Sequence, residues 1–325
     1  MENIKKNDFR HFLFKMFILL AIVFLLDYSI GNILSYYYFK QQRGSDYLTT
    51  YAIEKTKADL LIFGSSRANH HYVPDIFEKR LNLSYFNAGR DGNFLFYHYA
   101  ILKAVLKRYT PKMVILDLIH GEFSKNQDSY DRLSSLLPYY KSHPEMRSII
   151  ELKSPFEKIK MLSSIYPNNS SLLVIAGGNA FFSKKKREDT QGYIPLSEIW
   201  NEPIKNEVTT YKYTLDSTKI KIYESFIRDC INAKVKLFII CSPYFWKSSF
   251  TDYSVRIAQE LAEKRNVVFL DYSQDSTFTN NVNLFADPQH LNDKGARIFS
   301  TNVVDTILST LGNVKDEPSE IFLKK

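Results

Sequence analysis

A serine, a histidine and an aspartate in this sequence have the types and local spacing that nucleophilic catalysis requires. Ser66 comes shortly after the apolar run Leu60–Phe63, and Asp287 precedes His290 by three residues far downstream. On one loop, that spacing lets the carboxylate accept a hydrogen bond from one imidazole nitrogen. The other nitrogen is then free to take a proton from a serine. The three residues are therefore candidates for a nucleophile, a general base and the group that orients the base.

The elements around Ser66 would place it where ligands bind. Four apolar residues followed by Gly64 and two serines predict a short strand buried on both faces, and residues 68–81 are predicted to be helical. A serine between a parallel strand and a helix lies at the carboxyl edge of the sheet, near helix N–H groups that can face an oxyanion. The alternatives are structural: Ser66 and Asp287 could cap helices, and a lone loop histidine is often structural.

Together the Gly-Ser-Ser block at 64–66 and the Asp-x-x-His block at 287–290 resemble those of the SGNH (GDSL-like) hydrolase superfamily. A third block, Asn-Ala-Gly-Arg-Asp-Gly-Asn at 87–93, follows a short apolar strand and resembles the family's second block. The resemblance implies that Ser66, rather than Ser65, is the nucleophile. It also implies that backbone N–H groups of Ser66 and Gly92 form the oxyanion hole, and it implies no cofactor.

One block departs from the family pattern. An asparagine that supplies a further oxyanion donor should follow the predicted third strand, Met113–Leu118, but the chain continues Ile-His-Gly-Glu-Phe. Asn93 or His120 could substitute for it. Because loss of one such donor typically slows an enzyme about a hundred- to thousandfold, the departure leaves both the oxyanion hole and the reaction open.

Further polar residues near the blocks are candidate substrate contacts. Arg67 could bind an anionic group of the substrate or form a surface salt bridge, and His71 and Asn93 could contact the substrate. The pair formed by His70 and His71 suggests a metal site, but adjacent histidines point in different directions and no third ligand is spaced to join them. No metal is predicted.

The first forty residues predict a membrane anchor. Basic residues precede a 23-residue apolar stretch, Phe12–Leu34, which is long enough to cross about 30 Å of hydrocarbon as a helix. Within it Lys15 can reach the inner edge, and Asp27 is costly unless it is paired or near the outer interface. The basic flank predicts a single-pass protein of the cell membrane with a cytoplasmic N-terminus and an exported globular part. A cleaved signal peptide and a buried core helix are the alternatives.

The remaining pattern predicts an α/β domain over 58–311. Apolar runs predict about five parallel strands alternating with helices, as in the three-layer sandwich of SGNH and flavodoxin-like proteins. A polar linker with some helical character is predicted at 41–57 and a mobile tail at 312–325. Residues 121–215 show no clear strand and are predicted to be an insertion that carries specificity or caps the site.

Composition excludes little but sets useful bounds. The 325 residues carry a formal net charge of +8, and the positive residues are scattered apart from the basic run 184–187. We interpret that run as a solvated loop, and no nucleic-acid partner is predicted. Cys230 and Cys241 lack metal-ligand spacing and are predicted to be buried thiols, with a disulfide as the alternative.

The predicted chemistry is acyl transfer through an acyl-serine. Water as the second acceptor would make an esterase, and a sugar hydroxyl an O-acetyltransferase. The resemblance to membrane-anchored, exported members of the superfamily favours ester groups of a surface polysaccharide. Two other classes stay open: a non-catalytic protein that binds glycan or a membrane-bound acyltransferase, and a lipid-directed esterase or thioesterase next to the bilayer.

Overall fold

The computed structural model describes residues 2–179, 191–201, 213–245 and 252–313. The basic run 184–187 and nearly all of the predicted tail lie outside these ranges. The chain divides into two compact units. We call residues 1–50 with 133–184 the helical unit, and residues 51–132 with 185–325 the sheet unit.

The sheet unit is built on five parallel strands in the order β2-β1-β3-β4-β5. This confirms the predicted α/β fold with a five-stranded parallel sheet. The order reverses between β1 and β3, and in such sheets ligands bind beyond the carboxyl ends at this point. A two-stranded antiparallel hairpin, β6–β7, stands apart from the main sheet. The strands are β1 (Leu60–Phe63), β2 (Tyr85–Asn87), β3 (Met113–Asp117), β4 (Lys236–Cys241), β5 (Val268–Asp271), β6 (Phe285–Asp287) and β7 (His290–Leu291).

Helices and short 3-10 turns make up most of the rest of the described chain. The α-helices are α1 (Glu2–Lys40), α2 (Ser45–Glu54), α3 (Ser66–His71), α4 (Pro74–Leu81), α5 (Leu95–Arg108), α6 (Asp128–Asp131), α7 (Arg147–Ile150), α8 (Glu157–Lys160), α9 (Leu172–Asn179), α10 (Ser217–Asn232), α11 (Tyr253–Glu263), α12 (Ser276–Thr279) and α13 (Asp293–Asn313). The 3-10 helices are Arg132–Tyr139, Pro144–Met146, Glu151–Lys153, Tyr166–Asn168 and Val282–Leu284.

Both faces of the sheet are covered, which explains the unbroken apolar strands. Side chains alternate between the two faces along a strand. On one face Leu60 and Ile62 belong to a buried core that includes residues of α3, α4 and α13. On the other face the Phe63 ring meets Phe226 of α10 edge-on, with centroids 5.8 Å apart. Three layers result, helix on sheet on helix.

Two predicted segments differ in detail. The single helix predicted over 68–81 is two helices, α3 and α4, separated by Tyr72 and Val73. Val73 is extended, because proline disfavours helical backbone in the residue before it, and Pro74 begins α4. Residues 41–57, predicted as a polar linker with some helical character, contain the ten-residue helix α2. Both cysteines are free and buried, as expected for buried thiols.

The helical unit contains the long N-terminal helix. Judged by length and composition alone, the α1 segment Asn7–Lys40 could cross a membrane. Asp27, the acidic residue within the apolar stretch, accepts hydrogen bonds from the Ser163 hydroxyl at 2.5 Å and the Ser164 N–H at 2.6 Å. The carboxylate is therefore paired inside this unit.

The turn after β1 yields a stability prediction. Gly64 has φ +148°, and a Cβ there would lie 2.8 Å from the Cβ atoms of Ala68 and Asp117. Gly121 also has positive φ, +68°, but a Cβ there would meet only Ser124 Oγ at 4.0 Å. We expect Gly64→Ala to lower the free energy of unfolding by about 1–3 kcal/mol more than Gly121→Ala, because it adds a clash to the backbone strain. Urea denaturation of both variants measures this, and equal losses would contradict it.

Candidate active site

Ser66 is placed by the sharp exit from β1. It is the first residue of α3, two residues beyond Gly64, and its side chain is half-buried at the carboxyl edge of the sheet. Its Oγ lies 2.7 Å from Nε2 of His290, which is 224 residues away along the chain. The fold therefore brings together the hydroxyl and the imidazole that the sequence motifs singled out.

The β6–β7 hairpin holds the histidine against its carboxylate. Asp287 and His290 are paired residues of this hairpin. His290 Nδ1 lies 2.8 Å from Asp287 Oδ2 and 3.0 Å from Oδ1. Backbone N–H groups of Gln289 and His290 donate to the same carboxylate, at 2.8 and 3.0 Å. These contacts fix the carboxylate on the loop, as the Asp-x-x-His spacing predicts.

These hydrogen bonds also keep the Asp287 carboxyl ionised. Burial raises the pKa of the Asp287 carboxyl, but hydrogen bonds from the His290 ring and from backbone N–H groups outweigh it and hold the pKa below its usual value. An ionised carboxylate only accepts hydrogen bonds, so Nδ1 of His290 must carry the proton. In the neutral imidazole, Nε2 then presents its lone pair to the Ser66 hydroxyl. The arrangement can take a proton from Ser66 and return it.

The second motif lies beside the serine turn. The Arg90 N–H donates to the Gly64 carbonyl at 2.9 Å, and the Asn93 N–H donates to the Arg90 carbonyl at 3.1 Å. Gly92 lies within this turn with φ +65°. In the described part of the chain, neither the Ser66 N–H nor the Gly92 N–H donates to a protein acceptor. The oxyanion role that the resemblance implies for these two groups stays a prediction.

A buried ionic cluster lies at the end of β3, just before the segment in which the resemblance expects an asparagine. Asp117 accepts a hydrogen bond from the Tyr72 hydroxyl at 2.6 Å, and Arg67 Nη2 lies 3.6 Å from its other oxygen. Burial raises the pKa of Asp117, and the positive charge of Arg67 opposes that rise. The Arg67 guanidinium also donates to the carbonyls of Leu118, at 2.8 Å, and Ser242, at 3.2 Å. Arg67 is thus buried next to Ser66, in neither the substrate contact nor the surface salt bridge that we expected.

The two residues considered as replacement donors are both engaged elsewhere. The Asn93 side chain is buried, and its amide donates to the Asp91 carbonyl at 3.1 Å. The His120 ring contacts the Tyr244 hydroxyl, and burial lowers the pKa of His120 to about 4. Asn93 therefore stabilises its own turn and His120 pairs with a neighbouring loop.

His71 differs most from expectation. Its ring is fully buried, so the predicted substrate contact is replaced by a positioning role. The Leu291 N–H donates to His71 Nε2 at 2.9 Å, which requires Nδ1 to carry the proton and to donate to Ser242 Oγ at 3.0 Å. His71 thus fixes the hairpin residue that directly follows His290.

His70, rather than His71, adjoins the candidate base. Its Nδ1 donates to the Ile194 carbonyl at 2.6 Å, and its ring meets that of His290 edge-on with centroids 5.3 Å apart. Its Nε2 lies 3.9 Å from a carboxylate oxygen of Asp91. The sequence carries a signal for this placement, because residues four apart on a helix share a face and His70 follows Ser66 by four.

The buried His71 yields a prediction on stability and pH. His71→Phe should lower the free energy of unfolding by about 1–3 kcal/mol at pH 7.5, because the Leu291 N–H loses its buried acceptor. Burial also holds the pKa of His71 well below its ordinary value. The stability that neutral His71 contributes is therefore present above about pH 6.5 and lost as the pH falls.

The difference in the free energy of unfolding between the wild type and His71→Phe, which we call the gap, should accordingly narrow as the pH falls from about 6.5 to 5. His98 and His120, whose pKa values burial also lowers, are common to both proteins and cancel in the difference. Urea denaturation at several pH values measures the gap. A gap that is constant with pH would contradict the assignment.

Comparisons with known proteins give matches to solved structures alone. No protein-family model and no curated protein matches the sequence. A Bacteroides fragilis protein assigned as an acylhydrolase is 13% identical, at a TM-score of 0.40, over 81% of this chain and 95% of its own. An acetylxylan esterase from Geobacillus stearothermophilus, solved as a catalytic mutant, is 12% identical at a TM-score of 0.41 over 78% of this chain and 94% of its own. Another acetyl xylan esterase is 16% identical at a TM-score of 0.38 over 78% of this chain and 99% of its own.

Proposed function

We propose that the protein is a serine-dependent hydrolase or transferase of carboxylic esters. One observation carries the proposal. Ser66 Oγ lies 2.7 Å from Nε2 of His290, while Asp287 holds the opposite ring nitrogen at 2.8 Å. This is the geometry in which an imidazole makes a serine hydroxyl nucleophilic. Ser66 is the nucleophile, His290 the general base, and Asp287 the residue that orients the base.

The first half-reaction forms an acyl-serine. Ser66 Oγ attacks the ester carbonyl carbon while its proton passes to His290 Nε2. The carbonyl oxygen becomes an oxyanion, which the N–H groups of Ser66 and Gly92 stabilise. The tetrahedral intermediate then collapses: the carbon–oxygen bond to the leaving alcohol breaks, and the imidazolium gives its proton to that alcohol. Asp287 stabilises the positive charge on the ring during both transfers.

The acceptor in the second half-reaction determines whether the protein is an esterase or a transferase. Water activated by His290 would release a carboxylic acid and give an esterase. A sugar hydroxyl in its place would give an O-acetyltransferase. The family resemblance favours acetyl esters of a surface or exported polysaccharide, and an apolar α1 behind a basic flank supports a single-pass membrane protein with an external sheet unit.

A second candidate is a non-catalytic protein. No asparagine directly follows β3; the strand instead ends in Asp117, which is buried beside Arg67. A relative without full oxyanion stabilisation could bind a glycan or a membrane-bound acyltransferase without turnover. A lipid-directed esterase is a third, because a membrane helix would keep the protein at a bilayer.

Covalent labelling tests the nucleophile. A fluorophosphonate should modify Ser66, as located by mass spectrometry, and Ser66→Ala should abolish labelling and lower hydrolysis of an activated acetyl ester by at least about a thousandfold. The matched control is Ser65→Ala: the Ser65 side chain makes no capping hydrogen bond, so activity and labelling should persist. Turnover and labelling that survive in Ser66→Ala would exclude the mechanism. A folded wild type with neither would favour the binding protein.

Replacing the orienting carboxylate tests the base. In Asp287→Asn the amide can donate to Nδ1, which favours the tautomer that points a proton at Ser66. We expect ester hydrolysis to fall about a hundred- to ten-thousandfold, the lower figure because Asp287 is only half-buried. Fluorophosphonate labelling should slow in parallel, since it reports the nucleophile itself. A variant within a few fold of wild type would show that Asp287 has no such role.

Competing acyl groups and acceptors identify the reaction. If the polysaccharide assignment is right, acetyl esters should be cleaved faster than long-chain esters. A transferase would, in addition, move the acetyl group to an added oligosaccharide, which mass spectrometry detects as a gain of one acetyl. A preference for long-chain esters would favour the lipid-directed reaction.

A further inference from the structure

A cluster of large apolar side chains is exposed in the helical unit, outside α1. Their exposed fractions range from 48% to 88%. Three belong to α8 and its flanks at every third position, and three begin α9. We call this set the collar; its members are Phe156, Ile159, Leu162, Leu172, Leu173 and Val174.

The collar lies next to the face of α1 that packs against the rest of the helical unit. Gly31 is buried, and a Cβ there would lie 2.3 Å from the backbone of Ser164, so α1 touches this turn closely. Asp27, one helical turn earlier, accepts hydrogen bonds from Ser163 and Ser164. Leu162 directly precedes this turn and is 79% exposed. The first group of collar residues therefore lies beside α1 at the level of Asp27 and Gly31.

The second group flanks α1 through α9. The Asn179 side chain, at the end of α9, donates to the Tyr37 carbonyl at 2.9 Å. Gly178 leaves no room for a side chain, because a Cβ there would lie 2.1 Å from the Gln41 amide oxygen. α9 is only eight residues long, so its exposed start, Leu172–Val174, lies within about 12 Å of this contact.

Helix geometry places Asp27 and Gly31 of α1 near a membrane boundary. About 20 helical residues cross the hydrocarbon of a bilayer. Counted from Phe12, the first residue of the apolar stretch, such a span ends near Gly31. The α1 residues between these two are exposed in the structure, apart from a half-buried Ala21 and Asp27. The turn at Ser163 and Ser164 thus packs where α1 would leave the hydrocarbon.

Charged groups next to the collar suit a phospholipid surface. Lys141 Nζ lies 3.4 Å from Ser164 Oγ. Lys158, next to Ile159, pairs with Glu151 at 3.4 Å, but its side chain is 73% exposed. The acidic Glu157 between collar residues is fully buried and paired with Lys160. Cations next to exposed apolar side chains are the combination that binds anionic headgroups and the acyl region beneath them.

We propose that the collar inserts into the headgroup–acyl boundary of the membrane that α1 crosses. The helical unit is then held by one spanning helix and by shallow apolar side chains from two segments that contact it. Large exposed apolar patches on a protein mark interaction surfaces. The proposal rests on α1 being membrane-embedded, and it is independent of the reaction at Ser66.

Site-directed fluorescence in nanodiscs tests it with the full chain. Single cysteines at Ile159, Leu162 and Leu173 would be labelled with an NBD maleimide; burial raises the pKa of both native thiols and hides them from the reagent. Nanodiscs of phosphatidylcholine and phosphatidylglycerol would carry lipids with a nitroxide at the headgroup or at a shallow acyl carbon. Quenching of each probe reports its distance from lipid.

Two controls bracket the collar. Leu20→Cys, in the exposed part of α1, should be quenched if α1 lies in the bilayer. Ser45→Cys is exposed beyond the end of α1 at Lys40 and should stay unquenched. We expect shallow nitroxides to quench the collar probes several-fold more than the Ser45 probe. Because the collar comes from two segments, a variant that misfolds in one leaves the other to be measured.

Each other outcome overturns the proposal. Quenching at Leu20 with none at the collar would show that α1 is embedded and the collar is not. A blue-shifted collar probe without quenching would show that protein, such as a second copy of this chain, covers the surface. No quenching at Leu20 would remove the membrane on which the collar depends, while leaving the ester chemistry untouched.

Discussion

The hydrogen bond between Ser66 and His290 joins two segments that are far apart in the sheet unit's chain, and further hydrogen bonds hold the same segments together. The Ser300 hydroxyl of α13 donates to the His71 carbonyl at 3.0 Å and accepts from the Val73 N–H at 2.8 Å. Those backbone groups would otherwise go unpaired where α3 gives way to α4. The His71 ring then receives the Leu291 N–H. The hairpin β6–β7 and helix α13 are therefore tied to α3 and its end by buried hydrogen bonds, whose loss would leave buried polar groups unpaired.

A second constraint involves Arg67, the residue after Ser66. Arg67 is buried beside Asp117 at a separation of 3.6 Å, which is long for a direct ion pair. Carbonyl oxygens of Leu118 and Ser242 and the Tyr72 hydroxyl supply the short contacts. Buried charges are costly unless such groups surround them, so this cluster adds little to stability by attraction alone. The cluster instead fixes geometry, because Arg67, the residue after Ser66, is hydrogen-bonded to residues at the ends of β3 and β4.

The parts of this structure that sequence reasoning predicted are those encoded locally. Short apolar runs such as Leu60–Phe63 indicate buried parallel strands, and the spacing of Asp287 and His290 sets their contact on one hairpin. The direction of a side chain on the six-residue helix α3 is different, because it depends on what packs above and below. Sequence alone did not show that His71 and Arg67 turn into the core while His70 turns toward His290.

Long-range polar pairing was equally invisible in the sequence. Asp27 is a defect in an otherwise apolar segment, and a carboxylate at the centre of a bilayer is estimated to cost about 2.5–3.5 kcal/mol or more. In the structure, three donors from residues 163–165 surround it, more than 130 positions away along the chain. The pairing also explains Gly31, one helical turn after Asp27. A side chain at this position would collide with Ser164 and keep residues 163–165 from approaching α1 so closely. A charge that would hinder insertion thus fixes the level at which α1 meets the rest of the helical unit.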